Sequence, residues 1–133
     1  MLDLKRCVIA LGKNIKVIES EKGKVTLKND IILRALRRNK EYEESVKKSI
    51  CLMKEIKRVY INYDKLSLVI YYDYVSLSEK KVVNWVKEIL EILLDNYEEL
   101  IDFLKYNKKE DLCDFIFLKL RKDYRLDKYN LKG

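Results

Sequence analysis

The chain has 133 residues and a formal charge of +7, from 29 Lys and Arg against 22 Asp and Glu; 48% of its residues are hydrophobic and 38% charged, a balance that suits one globular domain and excludes a disordered chain. Proline and histidine are absent and glycine occurs three times, which leaves no material for a flexible interdomain linker and removes the usual neutral-pH base of catalysis. No apolar run approaches the roughly 20 residues that span a bilayer, and charges interrupt MLDLKRCVIALGKN where a signal peptide needs an apolar core. The expected location is therefore cytoplasmic, with a peripheral position on a membrane as the alternative.

Taken in order, residues 2–11 place Leu4, Cys7, Val8 and Leu11 at helical spacing, although a strand would also accept them. Ile15 and Val17, then Val25 and Leu27, alternate with polar residues about Gly23, which predicts a bulged strand or a short hairpin. Asn29 and Asp30 close it with turn chemistry. A helix is expected between Ile31 and Lys57, with Val46, Ile50, Met53 and Ile56 as its apolar stripe. Its acids precede its lysines in KEYEESVKKS, as the helix dipole favours.

The run RVYINYDKLSLVIYYDY reads as two strands, Arg58–Tyr63 and Leu66–Tyr74, about a tight turn at Asp64-Lys65. Val59, Ile61 and Tyr63 share one face of the first strand, and Leu66, Leu68, Ile70 and Tyr72 one face of the second. Tyr60, Asn62, Val69, Tyr71 and Asp73 occupy the opposite face. Ser78 is a suitable N-cap for a helix that continues to Tyr106, about 42 Å at 1.5 Å per residue. Its apolar face, Val82, Trp85, Val86, Ile89, Leu93, Tyr97, Leu100, Ile101 and Leu104, is longer than one small sheet covers. After a break at Asn107–Glu110, Leu112, Phe115, Ile116, Leu118 and Leu120 predict a shorter helix, and the last residues form a basic tail.

This order, β-α-β-β-α with a helical extension, is α+β and predicts a ferredoxin-like plait over residues 1–106, with residues 107–133 as a C-terminal helix and basic tail. The stretch IKVIESEKGKVTL resembles the heavy-metal-associated domain superfamily, in a divergent branch that lacks the Cys-x-x-Cys motif and opens with I-x-V-x-H-x-x-P-G-R-x-x-L. Ile15, Val17, Gly23 and Leu27 match; Lys24 stands for the arginine, Glu19 for the histidine and Lys22 for the proline. The hairpin VYINYDKLSLVIYYD followed by LSEKKVVNWV resembles the second half of that family, so the resemblance covers Ile15 to Leu94. It implies a place in bacterial metal homeostasis, beside a P-type metal-transporting ATPase or an iron or other metal store. It does not imply a metal site: soft metals need thiolate or imidazole, and Cys7, Cys51 and Cys113 have no ligand spacing.

No glycine-rich phosphate loop is present, and pairs such as Glu43-Glu44 lie on faces of alternating charge, so no catalytic residue, cofactor or resident metal is expected. Asp95, Glu98, Glu99 and Asp102 align on one helix side, as a solvated acid stripe or a hard-cation site. The segment Lys22–Arg58 holds 12 basic against 5 acidic residues. Within it Arg34, Arg37 and Arg38 point one way from a helix and form the expected partner contact. Tyr60 and Tyr71 on the open sheet face form a second surface. Leu112, Phe115, Ile116 and Leu120 define an interaction helix that packs on its own domain, on a second copy or on an anionic membrane surface. The expected function is that of a non-enzymatic accessory or regulatory binding protein, contacting a metal-transport or metal-storage component. A nucleic-acid-binding module using the same surfaces is the alternative, together with a homodimer or membrane-surface protein.

Overall fold

The computed structural model describes residues 15–106 and 112–122. The expected helix at residues 2–11, Cys7 and the basic tail lie outside the described residues, as do the side chains of Leu93, Asp95, Tyr97, Ile101 and Leu104. The chain forms β1 (Lys16–Glu21), β2 (Lys24–Lys28), α1 (Asp30–Arg38), a 3-10 turn (Lys40–Tyr42), α2 (Glu43–Ile50), β3 (Ile56–Asn62) and β4 (Ser67–Tyr72). These are followed by α3 (Glu79–Asp95), α4 (Tyr97–Tyr106) and α5 (Leu112–Lys122).

The strands make one four-stranded antiparallel sheet in the order β1-β2-β4-β3. Both β2 and β3 run antiparallel to β4 and therefore parallel to each other, with the α1–α2 crossover between them. The alternation about Gly23 resolves as a hairpin, with Glu21 paired to Lys24. Gly23 sits at φ 77°, and a Cβ there would lie 2.9 Å from the Tyr72 carbonyl oxygen, so both conformation and space require glycine. A bulge at Ile18 shifts the β1 register between Val17 and Glu19.

Three sequence expectations are corrected. The stretch from Ile31 to Lys57 is two helices, because Asn39 leaves the helical region at φ −132°, ψ 58°. Its carbonyl accepts from the Tyr42 amide at 3.0 Å and starts the 3-10 turn. Met53 and Ile56 of the expected stripe lie beyond α2 but are still fully buried, Ile56 as the first residue of β3. The long helix ends at Asp95 and restarts at Tyr97. Asn96 leaves the helical region at φ −118°, ψ 31°, and its side-chain amide joins its backbone N–H on the Ile92 carbonyl, at 2.8 and 3.1 Å. The β3–β4 turn takes in Tyr63 to Leu66, with Leu66 at φ 49° and its side chain buried.

One hydrophobic cluster joins Val25, Leu27, Val59, Ile61, Leu68, Ile70 and Tyr72 of the sheet to Leu33 and Leu36 of α1, Ile50 of α2 and Val82, Trp85, Val86, Ile89 and Ile92 of α3. Leu100 of α4 and Leu112, Phe115, Ile116 and Leu120 of α5 belong to the same cluster. The N-cap of α3 is as expected, with Ser78 Oγ accepting from the Lys81 amide at 3.2 Å. All five helices thus contribute side chains to one core on one side of the sheet, and no described helix covers the other face.

Candidate functional site

The open face is set by strand parity and register. Three cross-strand rows run over it: Lys16, Lys28, Ser67 and Asn62; Glu19, Thr26, Val69 and Tyr60; Glu21, Lys24, Tyr71 and Arg58. In the third row the Arg58 guanidinium carbon lies 4.3 Å from the Tyr71 ring centroid, and Lys24 Nζ lies 5.9 Å from it. Tyr71 is therefore held between two cations from neighbouring strands. Tyr60, in the middle row, is 55% exposed. At the end of the face Lys22 Nζ stands 5.9 Å from the Tyr74 ring. Lys28 is committed elsewhere: it meets Asp30 at 3.1 Å and donates to the Lys65 carbonyl at 2.8 Å.

This constellation can stack planar groups on Tyr60 and on the Arg58–Tyr71 pair, with cationic tips placed for anionic groups. Parity named Tyr60 and Tyr71 but neither cation, although Lys24 opposes the parity of Val25 and Leu27 and Arg58 stands two residues before Tyr60. Its pairing with Tyr71 was hidden, because a bulge at Lys57 shifts the register between Ile56 and Arg58.

Arg34, Arg37 and Arg38 are all exposed on α1, and among the described residues none has a carboxylate within ion-pair distance. The structure does not bring them together with Tyr60 and Tyr71. The arginines belong to the helical layer, whose Leu33 and Leu36 face the core, while the tyrosines lie on the opposite side of the sheet.

Of the three surfaces considered for Leu112, Phe115, Ile116 and Leu120, the structure takes the chain's own domain rather than a second copy or a membrane. All four are buried within the chain's own core, because α5 packs against α2 and α3. What α5 presents outward is Leu118, 58% exposed. Beside it a shallow groove of about 500 Å³ is lined by Phe103, Tyr106 and Phe115, with Lys119 bonded to Glu99.

Among the described residues no group of three or more His, Cys, Asp or Glu is placed to hold a metal ion. Of the acid stripe, Glu99 is bonded to Lys119, and Asp102 stands 3.8 Å from Lys105. Cys113 lies in the α2–α5 contact, its Sγ 3.5 Å from Ser49 Oγ and 3.8 Å from the Ser45 carbonyl. Burial holds its thiol above the usual value, which suits an inert packing role. No described helix is long and apolar enough to cross a membrane.

No family model, curated protein or solved structure matches this chain.

Proposed function

We propose that the protein binds single-stranded nucleic acid without catalysing a reaction on it, using the open face of the sheet. The observation that carries this reading is the Lys24–Tyr71–Arg58 row, with exposed Tyr60 beside it on a face that no described helix covers. Single strands are held where bases stack on aromatic rings or guanidinium planes while cations follow the phosphates. The face supplies both elements on adjacent strands, and a sheet holds them at fixed spacing.

The fold supports the same reading. We take it to be a ferredoxin-like plait whose outer strand comes from the N-terminal hairpin. The segments β2, β3 and β4 with the crossover helices and α3 follow the plait order, and β1 occupies the edge beside β2, where a plait's last strand otherwise lies.

The test is fluorescence anisotropy with labelled single-stranded RNA and DNA and the matching duplex. Single strands are expected to bind more tightly than duplex, with affinity falling in both Tyr60→Ala and Arg58→Ala. Absence of binding to any of them, or binding unaffected by either change, would overturn the assignment. A loss with Arg58→Ala but none with Tyr60→Ala would instead indicate an anionic partner without bases. That is the pattern expected of an acidic protein surface in the metal-homeostasis role implied by the family resemblance.

A further inference from the structure

The two edges of the sheet differ in what they can pair with. At the β3 edge the sequence IKRVYIN contains Lys57 and Arg58 and no acid, so a second copy of that strand would bring only like charges. The β1 edge, KVIESE, is exposed along its whole length and carries both signs. Its two large apolar residues are also in water, Val17 at 43% and Ile18 at 50% exposure. Among the described residues Lys16, Glu19 and Glu21 form no ion pair. Within the sheet Lys16 stands opposite Lys28, a like-charged pair, and Glu19 stands opposite Thr26, which offers it no charge.

We propose that β1 pairs with β1 of a second copy, antiparallel about a two-fold axis between Val17 and Ile18, so that two sheets join into one. This register sets Lys16 of each copy against Glu19 of the other and Val17 against Ile18. Lys16 and Glu19 both belong to rows of the open face, so the two charges meet on the same side of the joined sheet. The contact gives each ion the partner it lacks within its own chain and removes four exposed apolar side chains from water, two from each copy. It is isologous, closes on itself and consumes both β1 edges, which stops further growth at that edge. Both open faces then lie on one side of a continuous surface. The dimer does not depend on what that surface binds.

Sedimentation velocity and equilibrium on the full chain test the pairing. The wild type is expected to reach a dimer mass at rising concentration. Lys16→Glu and Glu19→Lys each place like charges opposite one another twice, and each is expected to weaken the dimer by about tenfold or more. Mixing the two variants in equal amounts restores opposite charges at both positions and is expected to restore the dimer. Circular dichroism identical to wild type shows that each variant is folded; Lys16→Glu also relieves the like-charged contact with Lys28. A wild type that stays monomeric, a variant that dimerises as well as wild type, or a mixture that fails to reassociate each overturns the proposal.

Discussion

Trp85 is fully buried and its indole N–H donates to the Ile50 carbonyl at 2.8 Å, at the C-terminal end of α2 where a helix leaves its own carbonyls without intrahelical donors. Trp85→Phe keeps an aromatic ring in the core but strands that carbonyl and opens space beside it. The expected loss is about 2–3 kcal/mol in urea unfolding, with the m-value unchanged. Gly23→Ala acts through the backbone instead. Positive φ and a 2.9 Å approach to the Tyr72 carbonyl oxygen act together, for an expected loss of about 1–3 kcal/mol by the same measurement. The Tyr63 hydroxyl donates to Glu43 Oε1 at 2.5 Å, with Lys47 3.1 Å from the same carboxylate. The Tyr63 hydrogen bond, then Lys47, holds the Glu43 carboxyl below its ordinary value near 4.5 against the opposing effect of burial. Its stabilisation is therefore present above that value and lost as pH falls through the lower folded-state pKa. Burial first, then Glu43, raises the Tyr63 phenol above its ordinary value near 10. Its contribution holds below pH 10 and is lost as pH rises further. Melting temperature against pH should thus fall at both extremes, and Tyr63→Phe should flatten both limbs.

At the scale of elements, α5 is structural. Ile116 and Leu120 are fully buried and the helix bridges α2 and α3, so Ile116→Ala should cost about 2–5 kcal/mol. A loss below 1 kcal/mol in chemical unfolding would show that α5 is a detachable appendage. The sequence pattern placed this helix and its apolar stripe but could not say whose surface the stripe covers, since amphipathicity is the same toward one's own domain, a copy or a membrane. The β3–β4 hairpin was legible because alternation of period two is local: Val59, Ile61, Leu68 and Ile70 point inward as read, and Tyr60 outward. The helix breaks were not, because each is made by one asparagine whose neighbours keep helical spacing. Asn39 and Asn96 both depart in their backbone dihedrals, and the Asn96 side chain adds a bond to the Ile92 carbonyl. The tyrosines of the candidate site were visible by parity. The cations that flank Tyr71 needed the strand register, which bulges at Ile18 and Lys57 displace.

Over the whole molecule, the charge of +7 does not fall on one surface. The α1 arginines and the sheet cations lie on opposite sides of the core, so a single strand on the open face meets only the second set. There Lys24 and Arg58 are available in the rows, whereas Lys28 is held by Asp30, Lys16 is taken up by Glu19 of the second copy in the proposed dimer, and Glu21 on β1 repels phosphate at that edge. The phosphate path is therefore expected to cross β2, β4 and β3 along the row from Lys24 to Arg58, with bases toward Tyr60. Binding at this face should weaken with salt by only two phosphates' worth, a slope of log affinity against log salt near −1.4, at about −0.7 per phosphate. Arg58→Ala should reduce that slope by about 0.7, whereas Tyr60→Ala should weaken binding by about 1–3 kcal/mol at every salt concentration and leave the slope unchanged. Arg34→Ala and Arg37→Ala should alter neither quantity. If the α1 variants carry the slope instead, the nucleic acid lies on the helical layer and the open sheet face is not its site.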